Sequence, residues 1–154
     1  MSGYFGPGEI VAIWIKRAHR GTMDRVEEAR LIAGHGLANS ADQGGWRQIT
    51  IIDESAWRDA EKDLGMQLDP SARRANVMTR GLDLQNSRGR RLEMGGCDIA
   101  IGGENLPCSL MDAAQPGLRD ALRPGWRAGV FGQILSGGVI RVGDTAEWHG
   151  SSTG

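Results

Sequence analysis

The stretch RRLEMGGCDIAIGG, Arg90 to Gly103, decides the fold. Its two halves alternate apolar and polar residues with a period of two, the pattern of a strand with one buried face. Gly95 and Gly96 stand between the halves and supply a tight turn, so the segment reads as a β-hairpin.

The same grammar continues on both sides. EIVAIWIK (Glu9 to Lys16) is β-branched and apolar and reads as a strand, as does RQITIID (Arg47 to Asp53). ANVMTRG reads as a short strand ended by Gly81, and WRAGVFGQILSGGVIRVGDTAEW gives two strands around Gly137 and Gly138, with a further turn at VGD. RVEEARLIAG fits neither the strand nor the helix period cleanly, and DPSARR reads as a turn. One helix is well marked. Asp53 is its N-cap, ESAWRDAEKDLG sets Trp57, Ala60 and Leu64 on one face, and Gly65 stops it. A second helical pattern from Ser109 to Leu122 is interrupted by Pro116 and Gly117. About seven short strands with one or two short helices predict a mainly β fold, a barrel that hides its strand edges. The expected organisation is a flexible leader over residues 1–7, one domain over 8–149 and a disordered tail at 150–154.

The chain has 154 residues and a formal charge of −1, enough for one domain and without the basic excess of a nucleic-acid binder. No apolar run approaches the roughly 18 residues that span a bilayer, so no membrane association is expected. MSGYFGPGEI carries neither a basic nor a hydrophobic signal region, which points to the cytoplasm and to free thiols at Cys97 and Cys108. The two cysteines have no zinc-ligand spacing, and His19, His35 and His149 are scattered as ordinary loop or surface residues, so no zinc is expected. GHGLANSADQGG has Asn39 where a dinucleotide-binding turn needs its third glycine, and reads as a polar loop.

Two places carry chemistry. Arg73 and Arg74, followed by Asn76, put two guanidiniums and an amide at the entry to a strand, where they either grip a phosphate or polar ring edge or form an exposed basic turn. Cys108, held behind Pro107, is either a working thiolate or a small packing residue, whereas Cys97 opens an alternating strand and reads as packing.

The order of GEIVAIWI, HGL, RQITIIDESAW, LDPSARRANVMTRGLDL, LPC and RPGWRAGVFGQILSGGVIRVGD resembles the MOSC family, named after the C-terminal domain of molybdenum cofactor sulfurase. The resemblance implies a β-barrel domain with one working cysteine. That thiolate either carries sulfur as a persulfide or ligates the molybdenum of a pterin cofactor, at a site that reduces N-hydroxylated compounds. By resemblance, Cys108 is the catalytic and metal-ligating cysteine, and Arg74 and Asn76 match an Arg-x-Asn segment beside the cofactor. Arg47 matches a recurrent arginine, and Arg73 with Arg74 would supply fork-like donors to a cofactor phosphate. A sulfur donor or an electron-transfer protein is the implied partner, and pyridoxal phosphate is not expected. One departure stands out. Family members often follow GL with Glu-Gly-Asp-Arg-His, whereas this chain has Ala38, Asn39, Ser40, Ala41 and Asp42. The alternative expectation is therefore a ligand-binding barrel that has lost the chemistry.

Overall fold

The computed structural model describes residues 7–19, 21–41 and 44–149. Residues 1–6 of the expected leader and the whole expected tail lie outside the described residues, as does Asp42 of the altered loop. The strands are β1 (Gly8–Lys16), β2 (Met23–Val26), β3 (Glu28–Ile32), β4 (Gly36–Leu37), β5 (Ile49–Asp53), β6 (Val77–Arg80), β7 (Arg91–Met94), β8 (Cys97–Glu104), β9 (Val130–Ser136), β10 (Gly138–Arg141) and β11 (Thr145–Trp148). The helices are α1 (Glu54–Leu64), α2 (Ser109–Ala114) and α3 (Leu118–Ala121), with 3-10 turns at Pro70–Arg73 and Pro124–Trp126.

Seven strands close a barrel in the order β11-β7-β8-β9-β5-β6-β1, with β1 pairing back onto β11. The fold is the expected mainly β barrel. Closure removes the exposed edges that an open sheet would leave for aggregation. β2 extends the barrel sheet beyond β1, and β10, β3 and β4 form a small second sheet. β5 and β6 run parallel, joined by α1 and the first 3-10 turn. The ambiguous segment RVEEARLIAG is β-structure that changes sheets: β2 pairs with β1 and β3 with β10. That change of partner is why no single period fits it.

The opening hairpin is β7 and β8, with Met94 opposite Cys97. Gly95 and Gly96 take φ of 53° and 85°, the left-handed pair that a two-residue hairpin turn requires. Alternation along β7, β8 and β9 fills the barrel with Leu92, Met94, Ile99, Ile101, Val130 and Ile134. β1 breaks its own alternation. A bulge between Ile10 and Ala12 lets Ile10 and Ile13 both face inward while Ala12 and Trp14 face the outer layer. That outer layer, built on Ile52, Trp57, Met78, Met111 and Leu118, packs the three helices against the barrel.

Asp53 caps α1 as its sequence predicts, its carboxylate accepting from the Ser55 backbone N–H at 3.3 Å and the Ser55 hydroxyl at 2.8 Å. The other carboxylate oxygen accepts from Thr79 at 2.7 Å and from the Leu82 N–H at 3.1 Å, tying α1 to β6. Gly65 ends the helix in the left-handed conformation.

Candidate functional site

A cleft of about 430 Å³ lies where one end of the barrel meets the outer helical layer. Cys108, Arg47, Arg73, Arg74 and Asn76, read from three separate stretches of sequence, all line it. Each is held there for a different local reason.

Cys108 is exposed and occupies the residue immediately before α2, in extended conformation at φ −124° and ψ 175°. Pro107 precedes it, and Met111, one turn on, is buried in the outer layer and anchors α2. Cys97 contrasts with it: 1% exposed, it packs inside the barrel, and burial pushes its thiol pKa up, with Asp144 and Asp98 adding to the effect. The two thiols thus have different chemistry, and Cys108 is the accessible one.

Arg73 ends the first 3-10 turn and is 4% exposed. Its Nε donates to the Ala128 carbonyl at 2.7 Å and its Nη2 to the Asn105 carbonyl at 3.3 Å. Burial pushes the guanidinium down to about 10; a Cys108 thiolate raises it and Arg47 lowers it. The group therefore remains a cation at neutral pH, beside the cysteine. Gly129 makes this bracing feasible. It takes φ of 91°, and a Cβ there would overlap the Ile51 carbonyl, so only glycine lets the Ala128–Gly129 backbone lie this close to β5.

Arg74 is a non-glycine residue at φ 63°, and its Nη2 donates to the Gly21 carbonyl at 2.8 Å in the turn after β1. Arg47 is exposed and lies over the Phe131 ring with its guanidinium carbon 5.2 Å from the centroid, a cation–π contact. Asn76 joins three strands. Its Oδ1 accepts from the Thr50 N–H at 3.0 Å and the Thr50 hydroxyl at 3.1 Å, and its Nδ2 donates to the Trp14 carbonyl at 3.5 Å. Its amide thus holds the cleft wall together.

Lys16, His19, Gln48, Asn105 and Leu106 also line the cleft and were not read from sequence as site residues, Gln48 entering only as a landmark of RQITIIDESAW. His19, expected as an ordinary loop or surface residue, is in an exposed loop but stands on the cleft wall. No local pattern links these residues, which converge from β1, the β4–β5 loop and the end of β8. The altered loop is here too: the Lys16 N–H donates to Ser40 Oγ at 2.8 Å, the Ala41 N–H to the Lys16 carbonyl at 2.9 Å, and Ala41 lines the cleft. The neutral substitution thus falls on the candidate site itself.

Among the described residues, no group of three or more His, Cys, Asp and Glu side chains is placed to hold a metal ion. No helix among them is long and apolar enough to cross a membrane.

A closed seven-strand barrel carrying one accessible cysteine in an arginine-lined cleft defines the class. The model of the MOSC domain matches residues 38–147, and the chain belongs to that family. It is similar in structure to the YuaD protein of Bacillus subtilis, with a TM-score of 0.76 at 18% identity over 92% of this chain and 94% of that one. YiiM of Geobacillus stearothermophilus superposes with a TM-score of 0.75 at 19% identity, covering 96% of this chain and 78% of the other. YiiM of Escherichia coli gives 0.68 at 15% identity over 93% and 68%. At these identities the likeness concerns the fold. No curated protein matches the sequence.

Proposed function

We propose that the cleft binds a molybdenum–pterin cofactor, with Cys108 as the protein's soft ligand to the metal and Arg73, Arg74 and Arg47 facing the cofactor's anionic end. The observation that carries this reading is the convergence of an exposed thiol and three guanidiniums on one cleft of about 430 Å³. That volume falls in the ordinary small-molecule range, on the order of 300–1,000 Å³, and a persulfide sulfur alone would not need it. The donor set fits the group: a thiolate suits a soft transition metal, and guanidinium forks suit phosphate. Bound there, the cofactor would supply two-electron redox chemistry, and reduction of N-hydroxylated compounds is the reaction class it would serve.

The chain's own contributions are positional and electrostatic. Arg73, nearly buried, fixes a positive charge beside Cys108, where an anionic ligand would be met. Its bond to the Asn105 carbonyl steadies the segment leading to Cys108. Arg74 ties the 3-10 turn to the β1–β2 turn while facing the cleft. A reducing cytoplasm, with an electron-transfer protein as partner, suits a site that depends on a free thiol.

The exposure of Cys108 favours a second reading, sulfur carriage. There the thiolate attacks the outer sulfur of a donor persulfide, a new S–S bond forms on Cys108, and the donor leaves as its thiolate. The neutral loop at residues 38–41 motivates a third, a binding module without turnover. Molybdenum and sulfane-sulfur analysis of protein purified after growth with molybdate separates them. Molybdenum in the wild type and its loss from Cys108→Ala support the proposal; sulfane sulfur alone selects carriage; neither element overturns both.

A further inference from the structure

The cleft wall holds three side-chain amides, and two are engaged by the protein at both oxygen and nitrogen. Gln48 donates from Nε2 to the Gly45 carbonyl at 3.0 Å and accepts at Oε1 from the Ile134 N–H at 2.9 Å. Asn76 is bonded to Thr50 and Trp14 as described above. Asn105 differs. Its backbone is used at both ends, the N–H donating to the Gly129 carbonyl at 2.8 Å and the carbonyl accepting from Arg73 at 3.3 Å. Among the described residues its side-chain amide has no hydrogen-bond partner, although the residue is only 5% exposed. Neither amide atom is sealed inside the protein, so the side chain's opening is the cleft that Asn105 lines.

An amide that the surrounding protein leaves unengaged takes its partner from the cleft, either water or a bound ligand. We infer that Asn105 is the specificity residue of the cleft, its amide pairing in bidentate fashion with a cis-amide (lactam) edge of the bound ring. An asparagine amide offers a donor and an acceptor side by side, which matches a ring N–H next to a ring C=O. Arg73 sets the reach of that amide through the Asn105 carbonyl, so the anion-binding and ring-reading groups are mechanically joined. This inference rests on the proposed function for its ligand class and deepens it.

The test compares two fluorescent bicyclic anions on the purified protein. Pterin-6-carboxylate carries the lactam edge; quinoxaline-6-carboxylate has a similar two-ring frame and charge without it. The wild type is expected to prefer the pterin by on the order of tenfold, the worth of one to two hydrogen bonds. Asn105→Leu should lose that preference, which the ratio of the two affinities reads directly. If leucine is not accommodated, Asn105→Asp keeps the shape, removes the donors and decides by the same ratio. A wild type without preference, or a variant that keeps it, overturns the inference. The outcome is independent of Cys108. An Asn105-dependent preference in a protein holding neither molybdenum nor sulfane sulfur would retain this inference and reject the proposed function, while molybdenum on Cys108 without pterin preference would do the reverse.

Discussion

The Arg73 guanidinium donates to the Asn105 carbonyl at 3.3 Å, so the buried cation of the cleft also holds the backbone leading to Cys108. Charge and scaffold are therefore the same residue. Arg73→Ala would leave the Ala128 and Asn105 carbonyls without their donor, at a cost of about 2–4 kcal/mol. Arg73→Lys keeps a cation but not the fork, and should fall between the wild type and alanine in urea denaturation. Equal stability of all three would show that the bracing contributes nothing.

Arg74 allows function and fold to be separated. At φ 63° it occupies a conformation that glycine adopts freely, so Arg74→Gly should change stability by less than about 1 kcal/mol despite losing the bond to Gly21. Phosphate affinity, measured calorimetrically, should fall severalfold. Unchanged phosphate binding would remove Arg74 from the anion site.

The two thiols should be told apart by alkylation. Iodoacetamide on the folded protein near neutral pH is expected to label one cysteine, mapped by peptide analysis to Cys108, because Cys97 is 1% exposed and burial raises its pKa. Cys97 should react only after unfolding. Labelling of Cys97 first, or of both at once, would contradict the assignment.

Asp53 gives the fold a pH signature. Burial raises its pKa above the ordinary 3.8, against the opposing hydrogen bonds from Thr79, Leu82 and Ser55. The folded chain thus binds the proton at higher pH than the unfolded chain, and this group's contribution to stability is fully present below 3.8 and declines as pH rises through the folded pKa. Asp53→Asn should flatten that slope and cost about 1 kcal/mol through the weakened cap, whereas Asp53→Ala, which strips every acceptor, should cost about 2–4 kcal/mol. Urea denaturation between pH 3.5 and 7 would show it; a wild-type slope retained in Asp53→Asn would rule it out.

Much of the barrel was legible because a strand with one buried face writes its period directly, as in Leu92, Met94, Ile99 and Ile101. The β1 bulge was not, since EIVAIWIK is apolar on both faces, one serving the barrel core and the other the helical layer. The expected strand from Arg47 begins at Ile49, leaving Arg47 free of the ladder and over Phe131. Arg73, Arg74 and Asn76 could be grouped from sequence because they lie within four residues, and all three line the candidate cleft. Asn105 was not: that its amide lacks a partner among the described residues is visible only in the folded chain. Lys16 and His19 reach the cleft by the path of β1 and its turn, which no local motif encodes.

The central claim is that Cys108 ligates the metal of a bound cofactor. X-ray absorption at the molybdenum K-edge, on wild type and Cys108→Ser prepared from molybdate-grown cells, tests it most directly. The wild type should show one sulfur scatterer more than Cys108→Ser, in which an oxygen replaces it or the metal is lost altogether. Superimposable spectra from two equally loaded proteins would contradict it.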